Sequence, residues 1–574
     1  MMNRRDALKG ILEGAPGGVD PSSVDPGEQS FANTVLPTVH HTGGGLEPYT
    51  GIWGVEQILH LLRRTTFGVV PPEMQMLQTM TMEQAITTIL AVPAEEQSMP
   101  LTTDSREELA AIGETWVYKD YKKADSTFTP TSIRTTSLKS WWMGLLLTHP
   151  LSIREKMVLF WHNHFVTERD TVNDPRFTWR YLALLRTNAL GNWKDLTRQV
   201  SMDGAMLRYL NGNTNTKTSP NENYGRELQE LFTIGKGPEV APGDYTNYTE
   251  TDVKAAARVL TGWQDDATVL TTPGSQPWKF TTTRHDTTNK QFSNRYGNRV
   301  ITGGTDGLRE LNDLLDMIFA QEETARYLCR KLYRWFVYYV IDEWTETNII
   351  IPLANILRSN NYAVLPVLQT LLRSAHFYDP LSMGCMIKSP VDFATGIARV
   401  FGLGYPTDAV TAYKVYNYMV TQAAAMQQDL GDPPAVAGWP AYYQTPQFYE
   451  TWINSDTLPR RTTLSTTLVR TGYKPTGFTY VVDPVTFALN VPNARDPNAL
   501  VEYSARLLFA IPITDGQKVF LKQSLTAGLS DSEWTRNWDD YLADPGNTTK
   551  LNVVKTKLQN LYAFMLSMPE FQLQ

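Results

Sequence analysis

Cysteine is almost missing from this chain: 574 residues hold two, Cys329 and Cys385, with no C-x-x-C pair. A finger-type zinc site is therefore excluded on ligand count. Both lie in apolar-periodic stretches, "RYLCRKLYRWF" and "MGCMIKSP". That placement predicts two buried free thiols rather than a disulfide, because unpaired cysteine packs as a small hydrophobe. No run of about 18 apolar residues occurs, so no segment reads as a membrane span. There is no Lys/Arg-rich block, and the net charge is −7. A general nucleic-acid binder or a membrane-surface patch would need the opposite balance. GxSxG, HExxH and GxxxxGK[ST] are all missing, and "FGLGYP" lacks the third glycine of GxGxxG. Elbow-type serine hydrolases, zincins, P-loop ATPases and Rossmann enzymes lose their sequence support with them.

What is present is core material. Hydrophobic residues make up 42% and aromatics 11%, with 15 Trp. The length suits several domains or one large one with insertions. From residue 52 the apolar period is helical, and "VEQILHLLRRTTFG" ends at a plausible glycine stop. Helices are expected over 132–148, 152–165, 175–188, 194–210, 220–234, 250–261, 308–340, 345–358, 362–376, 498–528 and 550–567. Capping boxes are read at Thr81/Gln84, Ser105/Glu108 and Ser152/Glu155. Residues 265–305 are Thr-, Gly- and Asn-rich with short alternating runs, and 430–500 are aromatic-rich and irregular. The expected fold is mainly α: one large multi-helix body over 51–574 with small β or irregular insertions at those two places. Residues 1–50 are expected to be a flexible Gly/Pro-rich tail, with His40 and His41 solvated.

The opening "MNRRDALKG" resembles the start of a twin-arginine export signal. Such a signal needs about 7–15 apolar residues next, and here Glu13, Asp20 and Gly–Pro breaks intervene. A short basic helix leading into the tail, and a cytoplasmic chain, is the expectation. Residence in the cell envelope, or export with a partner, is the alternative.

Four stretches carry candidate chemistry. "FWHNHF" (160–165) holds two of the chain's 8 histidines, His162 and His164, flanking Asn163. Helical neighbours two apart point about 200° apart and cannot share an ion. The pair becomes a possible divalent-metal ligand set only if the helix ends at 161–163. Otherwise the rings pack at a core edge or move protons singly. "SPNENYGRELQELFTIGKG" (219–237) reads as an amphipathic helix started by Ser219, Pro220 and Glu222. Its polar stripe carries Asn223, Arg226, Glu227 and Glu230: an acid–base set if it faces a cleft, a solvated face otherwise. Arg226 and Glu230 are spaced for an i,i+4 ion pair. "RHDTTNK" (284–290) places His285 beside Asp286 in a loop, a site candidate or a turn former. "GWPAYYQTPQFYETW" (438–452) offers Trp439 as a stacking face or as core-edge packing.

The order of motifs resembles the bacterial domain-of-unknown-function 1800 family. It runs through "LLRRTTFG" (61–68), "IREKMVLFWHNHF" (153–165), "PNENYGRELQELFTIG" (220–235) and "YTETDVKAAARVLTGW" (248–263), then "HDTTNK" (285–290), "IKSPVDF" (387–393), "AGWP" (437–440) and "SMPEFQL" (567–573). The resemblance implies a mostly helical protein and no established activity. It also implies a neighbour of the 1501 family, whose members commonly carry twin-arginine signals. His162, Asn163, His164, Asn223, Arg226, Glu227, His285 and Asp286 all lie in its motif segments. Gly225 departs from the usual alanine, either to let a backbone approach closely or as neutral drift.

Two functions of different class follow as expectations. The first and favoured is a non-catalytic structural or export partner of a 1501-type companion. Its motif residues would sit in separate helix junctions, satisfied by backbone, with an apolar patch elsewhere. The alternative is a cell-envelope hydrolase using His162, His164, Glu227 and Asp286, with or without a divalent metal. Asn163, Asn223, Arg226, Glu230, His285 and Trp439 would then bind substrate, and the groups would converge in one pocket.

Overall fold

The structure is a computed structural model that describes residues 40–92 and 98–574. Most of the expected tail (1–39) lies outside the described residues.

The chain is mainly α, with only short two-stranded ladders between helices. The first group of helices is α1 (Val55–Thr65), α2 (Pro71–Gln78), α3 (Met82–Leu90), α4 (Thr131–Thr148), α5 (Arg154–His164), α6 (Pro175–Thr187), α7 (Trp193–Met202) and α8 (Gly204–Tyr209). Next come α9 (Glu222–Glu230), α10 (Glu250–Val259), α11 (Gly307–Phe319), α12 (Glu322–Phe336), α13 (Ile351–Ser359) and α14 (Leu365–Arg373). The last group is α15 (Pro390–Val400), α16 (Ala409–Ala425), α17 (Thr457–Arg470), α18 (Pro484–Leu489), α19 (Pro497–Leu508), α20 (Asp515–Thr526), α21 (Asp531–Ala543) and α22 (Thr548–Ser567). Strands β1 (Glu239–Ala241) and β2 (Asp244–Tyr245) pair antiparallel, as do β3 (Trp263–Asp265) with β4 (Trp278–Phe280) and β5 (Lys290–Gln291) with β6 (Val300–Ile301). The last two ladders are the β content expected in 265–305. No described helix is long and apolar enough to cross a membrane.

Local chemistry explains where helices stop. The expected 194–210 helix breaks at Asp203, whose carboxylate caps α8 by accepting from Ala205 N at 2.8 Å. The expected 308–340 helix breaks before Glu322, where Thr324 Oγ1 donates to Ile318 O at 2.7 Å. Thr81 and Gln84 form their capping box. The other two boxes do not form: Ser105 and Glu108 start no helix, and α5 takes Ile153 rather than Ser152 at its cap. Residues 105–112 are turns and bends in which Glu107 pairs with Arg134 at 2.7 Å, and Glu155 pairs with Arg186 at 2.5 Å. The segment 430–500 is more helical than expected, since α17 and α18 lie within it.

Residues 40–50 are docked, contrary to the solvated reading of His41. Tyr49 N donates to Arg373 O at 2.8 Å, and Ala375 N donates to Glu47 O at 2.8 Å. His41 is buried, stacked at 3.9 Å on Trp344, with Nε2 3.6 Å from Asp342. One continuous apolar cluster runs from Ile58 to Leu573 and includes the free thiol Cys329. Cys385 is also free and buried.

Candidate functional site

α5 is buried on every side although six of its eleven residues are polar or charged. Such a helix persists only if each polar group finds a partner. Glu155 meets Arg186, and Lys156 meets Asp392. The last turn carries "HNH", and the helix runs through His164. The two imidazoles therefore leave the helix in different directions, and the two-histidine ligand pair is not formed. Among the described residues no group of three His, Cys, Asp or Glu side chains is arranged to hold a metal ion.

His164 points to the end of α9. Its Nε2 lies 3.0 Å from Phe232 O, and its Nδ1 lies 3.1 Å from Lys331 Nζ on α12. Burial, and then the Lys331 charge, hold its imidazole well below the usual range. Lys331 also donates to Leu231 O at 3.1 Å, and Tyr327, one turn earlier, donates to the same oxygen at 3.0 Å. Burial and the charge of Arg334 push the Lys331 ammonium down to about 7.

Asn163 turns to "AGWP". Its Oδ1 accepts from Trp439 N at 3.0 Å. Gly438 beside it has φ +95, and a Cβ there would stand 2.3 Å from Asn163 Oδ1, so only glycine fits. Trp439 is 1% exposed, which rules out the broad stacking face considered for it. Its ring lies 6.4 Å from His162, whose ring also meets Trp142 at 5.2 Å. His162 is fully buried, with no hydrogen-bond partner on either ring nitrogen among the described residues. Burial, reinforced by the charge of Lys139, lowers it to about 3.

α9 starts at Glu222 rather than near Ser219, because Asn221 takes the cap and accepts from Asn223 N at 3.0 Å. Asn223 is exposed. Arg226 does not pair with Glu230; it forks onto Glu250 at 2.5 and 2.6 Å and reaches Glu222 at 3.3 Å. Glu230 accepts from Tyr248 Oη at 2.8 Å. Of the α9 acids, Glu227 alone, half-buried, has no side-chain hydrogen bond or ion pair among the described residues. Burial and then the Glu230 charge raise its carboxyl to about 7. Gly225 lets α9 lie close to α10: a Cβ there would stand 3.0 Å from Ala257 N. The close-approach reading of this residue is the one observed.

Tyr209 is pushed up to about 12 by burial and by the charges of Glu168, Glu227 and Asp432. Asp432 in turn lines an open cleft of about 840 Å³ together with Asp429, Trp439, Gln444, Glu450 and Trp452. Two non-glycine residues with positive φ, Gln427 (75°) and Phe448 (45°), lie in or beside its wall. Such backbone is costly and is retained mostly at ligand sites and switches.

His285 and Asp286 lie apart from this junction. His285 Nδ1 is 2.8 Å from Thr261 O, and Nε2 is 3.2 Å from Glu310 Oε1 without hydrogen-bond alignment. Glu310 Oε2 meets Lys290 Nζ at 2.5 Å, and all three side chains are fully buried. Burial pulls the Asp286 carboxyl up, but Arg258 at 2.7 Å and Thr288 outweigh it and bring it to about 2. Among the described residues, none of these partners comes from α5, α9 or α12.

Of the sequence candidates, the structure brings His162, Asn163 and Trp439 together, and it ties His164 to Lys331 and to the backbone just after α9, the helix that carries Glu227. It separates His285 and Asp286, and it ties Arg226 and Glu230 into structural pairs. Lys331, Tyr327, Tyr209 and Asp432 went unread. Lys331 carried a signal, since it shares a helical stripe with Tyr327, Leu328 and Trp335, where a lysine is out of place.

This is a mainly α body with a polar junction at the end of α5, where Asn163 holds Trp439, a residue that also lines the acid-lined cleft. The family model described as "Protein of unknown function (DUF1800)" matches residues 60–573, and the chain belongs to that family. No curated protein and no solved structure matches it.

Proposed function

We propose that the protein is a hydrolase whose reactive groups gather where α5, α9 and α12 meet, with Glu227 as the proton-transfer group. The observation that carries this is the state of Glu227. The other α9 acids are paired, and this one is half-buried, unpaired and raised to about 7. A carboxyl near the working pH gives and takes a proton most readily, and perturbed groups cluster at reactive sites. The cleft lined by Trp439, whose backbone Asn163 holds, is large enough for a substrate of modest size. The test is a panel of chromogenic esters, glycosides and phosphoesters offered to wild type and Glu227→Gln. Turnover of one class is expected, falling by about 100-fold or more in the folded variant. Equal rates in both proteins would remove Glu227 from the reaction.

A second reading, the non-catalytic partner of a 1501-type companion, has its own support. Val519, Phe520, Leu529 and Phe564 are 41–57% exposed on or beside α20 and α22. Exposed apolar groups gathered this way often mark a protein interface. Co-expression with the companion, followed by co-elution that Phe520→Ser/Phe564→Ser abolishes, would favour this reading.

A further inference from the structure

Lys331 and His164 form a pair with an unusual set of neighbours. Lys331 Nζ donates to Leu231 O and to His164 Nδ1, both at 3.1 Å, and lies 4.9 Å from the Tyr327 ring centroid. The imidazole is held from its far side, with Nε2 3.0 Å from Phe232 O. A carbonyl only accepts, so the ring proton sits on Nε2 and Nδ1 is the acceptor toward Lys331. Among the described residues no carboxylate comes within ion-pair distance of Lys331. The charge that acts on it is that of Arg334 from its own helix, while Glu230 and Glu227 act on the neighbouring Tyr327. A nucleophile within hydrogen-bond reach of a base, itself oriented by a third group, is the recurring architecture of covalent catalysis.

We propose that Lys331 is a nucleophilic amine with His164 as its proton acceptor, and that the junction forms an imine with an aldehyde or ketone. A neutral amine keeps both hydrogen bonds with its two N–H groups, which leaves one lone pair in a fixed direction. That pair attacks the carbonyl carbon, a C–N bond forms, and the C=O π electrons move to oxygen. His164 Nδ1 takes a proton from nitrogen and passes it to that oxygen. A second proton follows the same path, the C–O bond breaks, and water leaves as C=N forms. The two protons lost by Nζ are those gained by the departing oxygen, so no external oxidant or reductant is needed. The charge that keeps His164 neutral is that of Lys331 itself, beyond the effect of burial. Once the amine is neutral the ring is a better base, and the pair can share one proton. Burial and the Arg334 charge favour the neutral amine near pH 7.

The test is reductive labelling of the full chain with propionaldehyde and sodium cyanoborohydride, read site by site by mass spectrometry. The exposed Lys414 serves as internal reference. Labelling of Lys331 is expected to run at least about tenfold faster than at Lys414 at pH 7.5, with a midpoint near pH 7. Lys331→Arg removes that adduct, and His164→Gln slows it severalfold while leaving Lys414 unchanged. Labelling at Lys331 no faster than at Lys414 would overturn the proposal, and it needs no variant to fold. The inference shares its junction with the proposed hydrolytic site but does not need Glu227. Fast labelling with no effect of Glu227→Gln on turnover would keep this inference and remove the other; slow labelling with a Glu227-dependent turnover would do the reverse.

Discussion

The chain buries two histidine–lysine clusters and treats their charge differently. In the insertion, His285 and Lys290 flank Glu310, and all three side chains are sealed from water. At the α5–α9–α12 junction, His164 and Lys331 have as hydrogen-bond partners, among the described residues, only each other and backbone carbonyls. The first cluster holds its own countercharge, so it costs little to keep and has no access to a ligand. The second leaves an amine uncompensated, and Glu227 on α9 is a carboxyl with no side-chain partner among the described residues. Folding alone would remove such groups, since they destabilise the native state; sites that need reactivity retain them. The contrast separates a motif that fastens the insertion from a motif that prepares a site, although both place a histidine near a lysine.

The strongest way to break this comparison is to remove the countercharge. Glu310→Gln leaves the Lys290 ammonium buried and unpaired, so a loss of about 3–5 kcal/mol is expected in denaturant unfolding at pH 7.5. Lys331→Met in the open cluster removes an uncompensated charge, and a change within about 1 kcal/mol is expected in the same assay. Similar losses in both would mean that the clusters do the same work.

A pH scan sharpens it next. His162 is held at about 3 in the folded chain, against about 6.5 when unfolded. A depressed histidine gives stability that is fully present above the unfolded value and is lost as pH falls from about 6.5 toward 3. His162→Phe should therefore spare about 3 kcal/mol of acid loss at pH 4 relative to wild type. Parallel unfolding curves from pH 7 to pH 4 would mean that the ring is not buried neutral.

Glu227 runs the other way. Its folded value, about 7, lies above the unfolded one, about 4.5. Stability is highest below pH 4.5 and falls as pH rises through the window from 4.5 to 7. Glu227→Gln should therefore be more stable than wild type at pH 8 by about 2 kcal/mol, and near equal at pH 4. A destabilised variant at pH 8 would mean that the carboxylate has found a partner.

Much of the fold could be read from residue pattern, because apolar period and caps are local. The α-rich body, the β ladders after residue 262, and the buried thiols follow from such signals. Charge partners are not local. Arg226 is spaced for Glu230 yet takes Glu250, and Glu155 leaves its capping role for Arg186, because the better-placed groups lie elsewhere in sequence. The candidate site was legible by halves. "FWHNHF" and the α9 acids stood out by type and spacing, Lys331 only as a lysine on an apolar stripe, while Asp432 enters only through the tertiary fold. Whether His162 and His164 share a face depended on one turn of helix, and the helix continues.

Gly225 gives the smallest effect and bears on how tightly the junction is held. Glycine inside a helix costs about 1 kcal/mol relative to alanine, so Gly225→Ala in a free helix would stabilise by that amount. Here the new methyl would meet Ala257 N at 3.0 Å and Val253 O at 3.3 Å, both backbone atoms that cannot swing aside. α9 would have to move away from α10 by a few tenths of an ångström, and overpacking of this kind costs about 1–3 kcal/mol. The expected net change is a loss of about 1 kcal/mol in denaturant unfolding, together with a changed labelling rate at Lys331, because Leu231 and Phe232 move with α9. A gain in stability with unchanged labelling would mean that the α9–α10 contact yields freely. In that case the glycine is drift, and the spacing of the junction is set by α5 and α12 alone.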